Sequence, residues 1–132
     1  MAGEYGACAE LSKRGHDVSL TMGNAKATDI ILFKTNGTFV RIEVKTSRST
    51  RFVTNFFQKY FDKSKNNHPD YWILVHIDKQ NNSHYYILTH EEMGDVQMQR
   101  NNMAEWYKVE KGCDNVLLNH VKQYENKWEK LT

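Results

Sequence analysis

Two runs of β-forming residues, 28–34 and 38–46, flank an Asn36-Gly37 pair, and the register of that hairpin constrains the chain more than any other feature. In the second run Val40, Ile42 and Val44 share one face, while Phe39, Arg41, Glu43 and Lys45 share the other. A two-residue Asn-Gly turn pairs Ile30 with Glu43 and Leu32 with Arg41, which puts charge into the apolar face. A three-residue loop, Thr35-Asn36-Gly37 with Gly37 left-handed, instead pairs Ile30 with Ile42 and Leu32 with Val40. The apolar faces then agree, so this register is expected. It sets Asp29 opposite Glu43, with Lys45 two residues further along the same face.

Other segments surround this hairpin. Residues 2–14 read as a helix stopped by Gly15, with Glu4, Cys8 and Leu11 on one core-facing stripe. Residues 17–21 form a strand candidate. Beyond the hairpin, Phe52, Phe56 and Tyr60 recur every four residues, as do Val53, Phe57 and Phe61, which predicts a helix over 51–64 with Lys59 on its solvent face. Residues 71–77 are almost continuously apolar, the pattern of a strand covered on both faces, and 84–88 return as a hairpin partner. Thr89 with Glu92 makes a capping box for a short helix. Residues 105–109 are a weak strand candidate. A last helix is predicted from Asp114 or Asn115, with Leu117, Val121, Tyr124, Trp128 and Leu131 facing the domain or a second copy.

This order, α-β-β-β-α-β with C-terminal β and α additions, predicts an α/β (α+β) fold with a mixed sheet flanked by helices. At 132 residues, with 39% hydrophobic and 26% charged side chains, the chain has the composition of one globular domain, with a core over residues 1–77 and an elaboration over 78–132. No apolar run reaches the ~20 residues of a membrane span. The first fifteen residues lack a basic segment followed by an apolar stretch, so no signal peptide is expected and the chain is expected in the cytoplasm. Cys8 and Cys113 are expected as reduced thiols, and the six scattered histidines show no metal-binding spacing, which disfavours zinc chemistry.

The net charge of +2 conceals an asymmetry, since residues 1–65 carry +5 and residues 66–132 carry −3. Arg41, Lys45, Arg48, Arg51, Lys59, Lys63 and Lys65 crowd one stretch opposed only by Glu43 and Asp62. A solvated surface explains such a stretch, and so does contact with a polyanion such as a nucleic-acid backbone.

Two adjacent carboxylates raise each other's pKa unless a cation intervenes, and Mg²⁺ is held by one or two carboxylates plus waters and phosphate oxygens. Asp29 and Glu43 suit that role, and Lys45 is placed to orient or deprotonate a water or to neutralise charge at phosphorus. Glu4 in the first helix, Asp29 at a strand start and Glu43-Val44-Lys45 in the partner strand resemble the PD-(D/E)XK nuclease superfamily. That superfamily includes restriction endonucleases and Holliday-junction resolvases, and the resemblance spans about residues 1–77. Thr28 stands where the motif has Pro, and Gln58 is followed four residues later by Asp62 and not Tyr, unlike the RecB-like branch.

The resemblance implies hydrolysis of DNA phosphodiesters with Mg²⁺ or Mn²⁺. Asp29, Glu43 and the Val44 carbonyl would hold the metal, Lys45 would position the water, and Glu4 would bind a second ion or an ordered water. Lys26, Arg48 and Arg51 are candidates for phosphate contacts, with Thr46 and Ser47 assisting through hydroxyl or backbone donors. RNA is not excluded as a substrate. A homodimer is expected, because one small site cuts one strand. The alternative is a catalytically silent module on the same fold that binds nucleic acid or protein.

Overall fold

The computed structural model describes residues 2–21, 28–61, 67–101 and 114–132. Helix α1 (Ala2–Lys13) is followed by strands β1 (Asp17–Leu20), β2 (Ile30–Phe33), β3 (Phe39–Ser47) and β4 (Arg51–Val53). Next come α2 (Phe56–Tyr60), β5 (Tyr71–Ile77), β6 (Ser83–Thr89), α3 (His90–Asn101), β7 (Asn115–Leu117) and α4 (Leu118–Val121). Single 3₁₀ turns at Lys122–Tyr124 and Trp128–Leu131 end the chain.

Five strands form a mixed sheet in the order β1-β2-β3-β5-β6. Strand β5 lies inside it, parallel to β3 and antiparallel to β6, as its unbroken apolar sequence requires. The hairpin takes the expected register, Ile30 against Ile42 and Leu32 against Val40. Its loop is Thr35-Asn36-Gly37, closed by the Lys34 N–H on the Thr38 carbonyl at 2.8 Å, with Gly37 left-handed at φ 86°. Pairing with β2 ends at Ile42, while β3 continues to Ser47 on β5 alone. Among the described residues no strand pairs with Glu43–Ser47 on the β2 side, and the site lies beside this notch.

Two cores sit on opposite faces. On one, α1 packs Ala7 and Leu11 onto Ile30, Ile42, Val44 and Ile73. The buried stripe of α1 is Gly3, Ala7 and Leu11. Glu4 and Cys8, expected on the stripe, are only half-buried at its edge, because the close approach to the sheet is made by the smallest side chains. Gly3 is indispensable to that approach, since a Cβ there would overlap the Thr46 hydroxyl. We expect Gly3→Ala to cost about 1–3 kcal/mol, the usual cost of overpacking, as α1 lifts from β3. A melting curve checks this, and Gly3→Ala/Thr46→Ala should recover part of the loss.

The opposite core holds Phe52, Phe56, Tyr60, Trp72, Leu74 and Leu88. The helix expected over 51–64 is corrected here. Residues 51–53 form β4, paired with β7, and the helix covers only Phe56–Tyr60, with residues 62–64 outside the described set. Strand residue Phe52 and helix residues Phe56 and Tyr60 reach the same core, so the four-residue recurrence reflects burial across a bend and not one helix. Asn55 makes the bend in the left-handed region at φ 55°. The distant Asp114 carboxylate then accepts the Phe57 and Gln58 N–H groups at 3.0 and 3.3 Å.

The C-terminal helix is corrected as well. Asn115–Leu117 is strand β7, α4 is a single turn, and Asn126 breaks the path at φ 57° with its N–H on the Tyr85 carbonyl at 2.9 Å. Val121 is buried on one face of the sheet, whereas Trp128 and Leu131 join the core under α1 on the other. The tail thus wraps the β6 edge and packs on its own domain. The Thr89–Glu92 capping box is formed at 3.0 and 2.9 Å. The strand candidate at 105–109, Cys113 and Lys26 lie outside the described residues.

Candidate active site

The notch beside β3 leaves the Val44 N–H without a strand partner, and the Asp29 side chain supplies one. Its Oδ2 accepts that N–H at 2.8 Å, so a carboxylate continues the ladder where backbone stops. Asp29 is fixed by its own backbone too, with its N–H on the Ile42 carbonyl at 2.9 Å and its carbonyl accepting the Thr21 N–H at 2.8 Å. In an extended strand a residue's N–H and C=O project to the same side, so the Val44 carbonyl faces the notch beside the Asp29 carboxylate.

Glu43 is buried, 6% exposed, beside its register partner Trp72 on the face of the second core. Lys45, two residues on, places its Nζ 3.2 Å from Glu43 Oε1. Burial is the main reason both acids are held above the ordinary carboxylate pKa. For Glu43 the charge of Asp29 adds to it and Lys45 opposes it, with a smaller opposing contribution from Lys59. For Asp29 the Val44 hydrogen bond opposes burial, and Glu4 raises the pKa further. The structure thus brings Glu4, Asp29, Glu43 and Lys45 into one electrostatic cluster.

The other candidates stand apart. The Thr46 hydroxyl turns to Gly3 of α1, on the face away from Glu43. Ser47 is engaged with Ser49, its Oγ accepting the Ser49 N–H at 3.0 Å. The Arg48 guanidinium donates to Asn81 Oδ1 at 3.0 Å, and Arg51 is exposed on β4. Arg41, on the site face, is committed to Asp70 at 3.8 Å. Two residues outside the sequence-based set neighbour the site, both from α2. Lys59 acts on Glu43, and Tyr60 lies edge-on to Trp72 at 5.7 Å between ring centres. A signal for them exists only once Trp72 is known to flank Glu43, because α2 covers Trp72.

Among the described residues no group of three carboxylate, imidazole or thiolate side chains is arranged to hold a metal. Two carboxylates and a carbonyl nevertheless fit a hard divalent ion, which completes its shell with waters and phosphate oxygens. Their raised pKa values show why a cation suits them, since it offsets both the burial and the mutual repulsion.

A mixed sheet flanked by helices, with two acids and a lysine converging at a notch, defines a nuclease-like α/β fold. The solved structure of a bacterial homing endonuclease, I-Ssp6803I, is similar to this chain at a TM-score of 0.59 and 12% identity, covering 98% of this chain and 86% of that one. At that identity the likeness is one of fold. No protein-family model matches the chain, and no curated protein matches its sequence. No described helix is long and apolar enough to cross a membrane.

Proposed function

We propose that this chain is a metal-dependent endonuclease of the PD-(D/E)XK type that hydrolyses DNA phosphodiester bonds with Mg²⁺ or Mn²⁺. The observation that carries the reading is the Asp29 clasp on Val44, which sets an acid, a carbonyl and the Glu43–Lys45 pair around one notch. Asp29, Glu43 and the Val44 carbonyl would hold the ion, with Glu4 binding a second ion or an ordered water. The ion supplies Lewis acidity at the phosphoryl oxygen and lowers the pKa of water. Lys45 orients the attacking water and offsets negative charge as the water oxygen bonds to phosphorus and the ester P–O bond breaks. Lys26, Arg48 and Arg51 serve the flanking phosphates, with Thr46 and Ser47 assisting through hydroxyl or backbone donors. Two copies acting together would cut both strands of a duplex.

A second reading, a module on the same fold that binds nucleic acid or protein without cutting, draws on the absence of a three-ligand cluster among the described residues. Supercoiled plasmid and branched DNA incubated with Mg²⁺ or Mn²⁺ separate the two. Endonuclease action yields nicked or linear products that EDTA suppresses. A gel shift with no product in either metal favours the silent module.

A further inference from the structure

We infer that the exposed Phe33–Phe39 pair is a stacking platform for unpaired bases beside the scissile phosphate, so that the site takes DNA with a single-stranded segment next to the cut, as at a flap or branch. The inference rests on the nuclease reading above and names the substrate class of that site.

The placement follows from register. Asp17, Phe33 and Phe39 are direct partners across β1, β2 and β3, as are Ser19, Ile31 and Arg41. Residues paired in this way share a face, and alternation along β3 puts Phe39 and Arg41 on the face of Glu43 and Lys45. Over β5 and β6 that face is covered, since Trp72, Leu74 and Leu88 pack with residues of α2 and α3. Over β1, β2 and the start of β3 it is open. Asp17, Ser19, Phe33 and Phe39 are exposed, and Ile31 and Arg41 are half-buried. This open part of the sheet is a shelf that leads from the acids to the two rings. Phe39 lies four residues from Glu43 along the strand, about 13 Å. An unstacked DNA strand covers that distance in fewer than about four nucleotides.

The chemistry of the pair selects its ligand. Single exposed apolar residues need no explanation, but here two phenyl rings are cross-strand neighbours. A phenyl ring neither donates nor accepts a conventional hydrogen bond, so it cannot read the polar edges of bases and offers a π face instead. In a duplex each base is already stacked on its neighbours. The base that meets such a face is one that is unpaired or splayed out. Charge agrees with this choice. Arg41 is committed to Asp70 at 3.8 Å, Asp17 is the cross-strand partner of Phe33, and Lys34 alternates to the other face. The shelf is therefore no track for phosphates and favours base over backbone. Area separates a base from a second copy of the chain. A covered phenylalanine buries roughly 150–250 Å², so at 43% and 55% exposure the pair offers about 200 Å², against the ~800 Å² per partner of a stable protein interface.

The test compares wild type with Phe33→Thr/Phe39→Thr, which removes both rings and keeps β-forming residues, and with Phe39→Trp, which keeps a stacking face. A single-stranded oligonucleotide carrying 2-aminopurine and its uninterrupted duplex are titrated in Ca²⁺, with melting temperature and sedimentation recorded for each protein. Wild type is expected to quench the 2-aminopurine and, with Mg²⁺, to cut a flap faster than an intact duplex. In the double variant the ratio of single-strand to duplex affinity should fall about 10-fold, the scale of one lost base stack. Its duplex affinity and melting temperature should not change, and Phe39→Trp should keep the wild-type ratio. An unchanged ratio in the double variant, or a wild type that cuts intact duplex as fast as the flap, overturns the inference and leaves the nuclease reading intact. A wild-type dimer that dissociates in the double variant assigns the rings to a second copy and also overturns it. A wild type that cuts neither DNA overturns the nuclease reading, while the affinity ratio still decides the platform.

Discussion

The Asp29→Asn protein is expected to cut DNA roughly 10³-fold more slowly than wild type and, without metal, to melt at a higher temperature. The rate estimate corresponds to the several kcal/mol by which a correctly held ion stabilises charge in such a transition state. The gain in stability follows from the same residue. Asn keeps a side-chain oxygen that accepts the Val44 N–H, so the clasp of the notch survives. What disappears is a buried negative charge that faces Glu43 and Glu4.

In the folded protein Asp29 and Glu43 both titrate above the ordinary carboxylate value of about 4. Between the unfolded and the folded pKa the native state binds more protons, so this pair lowers the stability of the metal-free protein as pH rises through that window. The effect is complete above the folded pKa values. Melting curves of wild type should therefore show this loss as pH rises above the ordinary carboxylate value, and Asp29→Asn should flatten it. Adding Mn²⁺ at neutral pH should raise the wild-type melting temperature by mass action and leave the variant nearly unmoved.

Lys45→Ala should slow cleavage by about 10²- to 10⁴-fold, the range for losing a group that manages a proton in the transition state. Unlike Asp29→Asn, it should also destabilise the fold. Glu43 is buried and Lys45 is its partner at 3.2 Å, so the truncation strands a carboxylate. The pair is partly open to solvent at Lys45, which places the cost at about 1–2 kcal/mol, between the exposed and the fully buried cases. The deficit should vanish at a pH low enough to protonate Glu43, and Lys45→Ala/Glu43→Gln should restore neutral-pH stability without restoring cleavage. Chemical denaturation of the three proteins at two pH values measures this directly.

The opposite behaviour of these two variants reflects a site that works against the fold. Removing one charge relaxes the notch, and removing the other leaves it unbalanced. Such tension between stability and activity is common where acids must be held close for chemistry.

The hairpin was legible in the sequence because strand alternation allows few registers, and Gly37 admits the loop that aligns Ile30 with Ile42. That register alone brought Asp29, Glu43 and Lys45 to one face. The Asp29 clasp was not legible, since it depends on where β2 ends relative to β3, which side-chain alternation does not encode. Nor was the role of α2. Phe52, Phe56 and Tyr60 read as one helical stripe, but pairing with the distant strand β7 makes the first of them strand, and the Asp114 carboxylate caps the helix only from Phe57. Lys59 is exposed and Tyr60 buried in the second core, as the periodicity implied; what the periodicity did not show is that this helix borders the strand carrying Glu43. The C-terminal stripe failed for a related reason. Val121, Trp128 and Leu131 are buried, but on opposite faces of the sheet, so their spacing records a chain wrapping an edge.

The central claim is that the notch between Asp29 and Glu43 holds the divalent ion used for DNA hydrolysis. Anomalous diffraction from crystals soaked in Mn²⁺ tests it most directly. The account predicts a peak in contact with the Asp29 and Glu43 carboxylates and the Val44 carbonyl, absent from Asp29→Asn crystals. A peak elsewhere, with both carboxylates unliganded in a protein that cuts DNA, would contradict it.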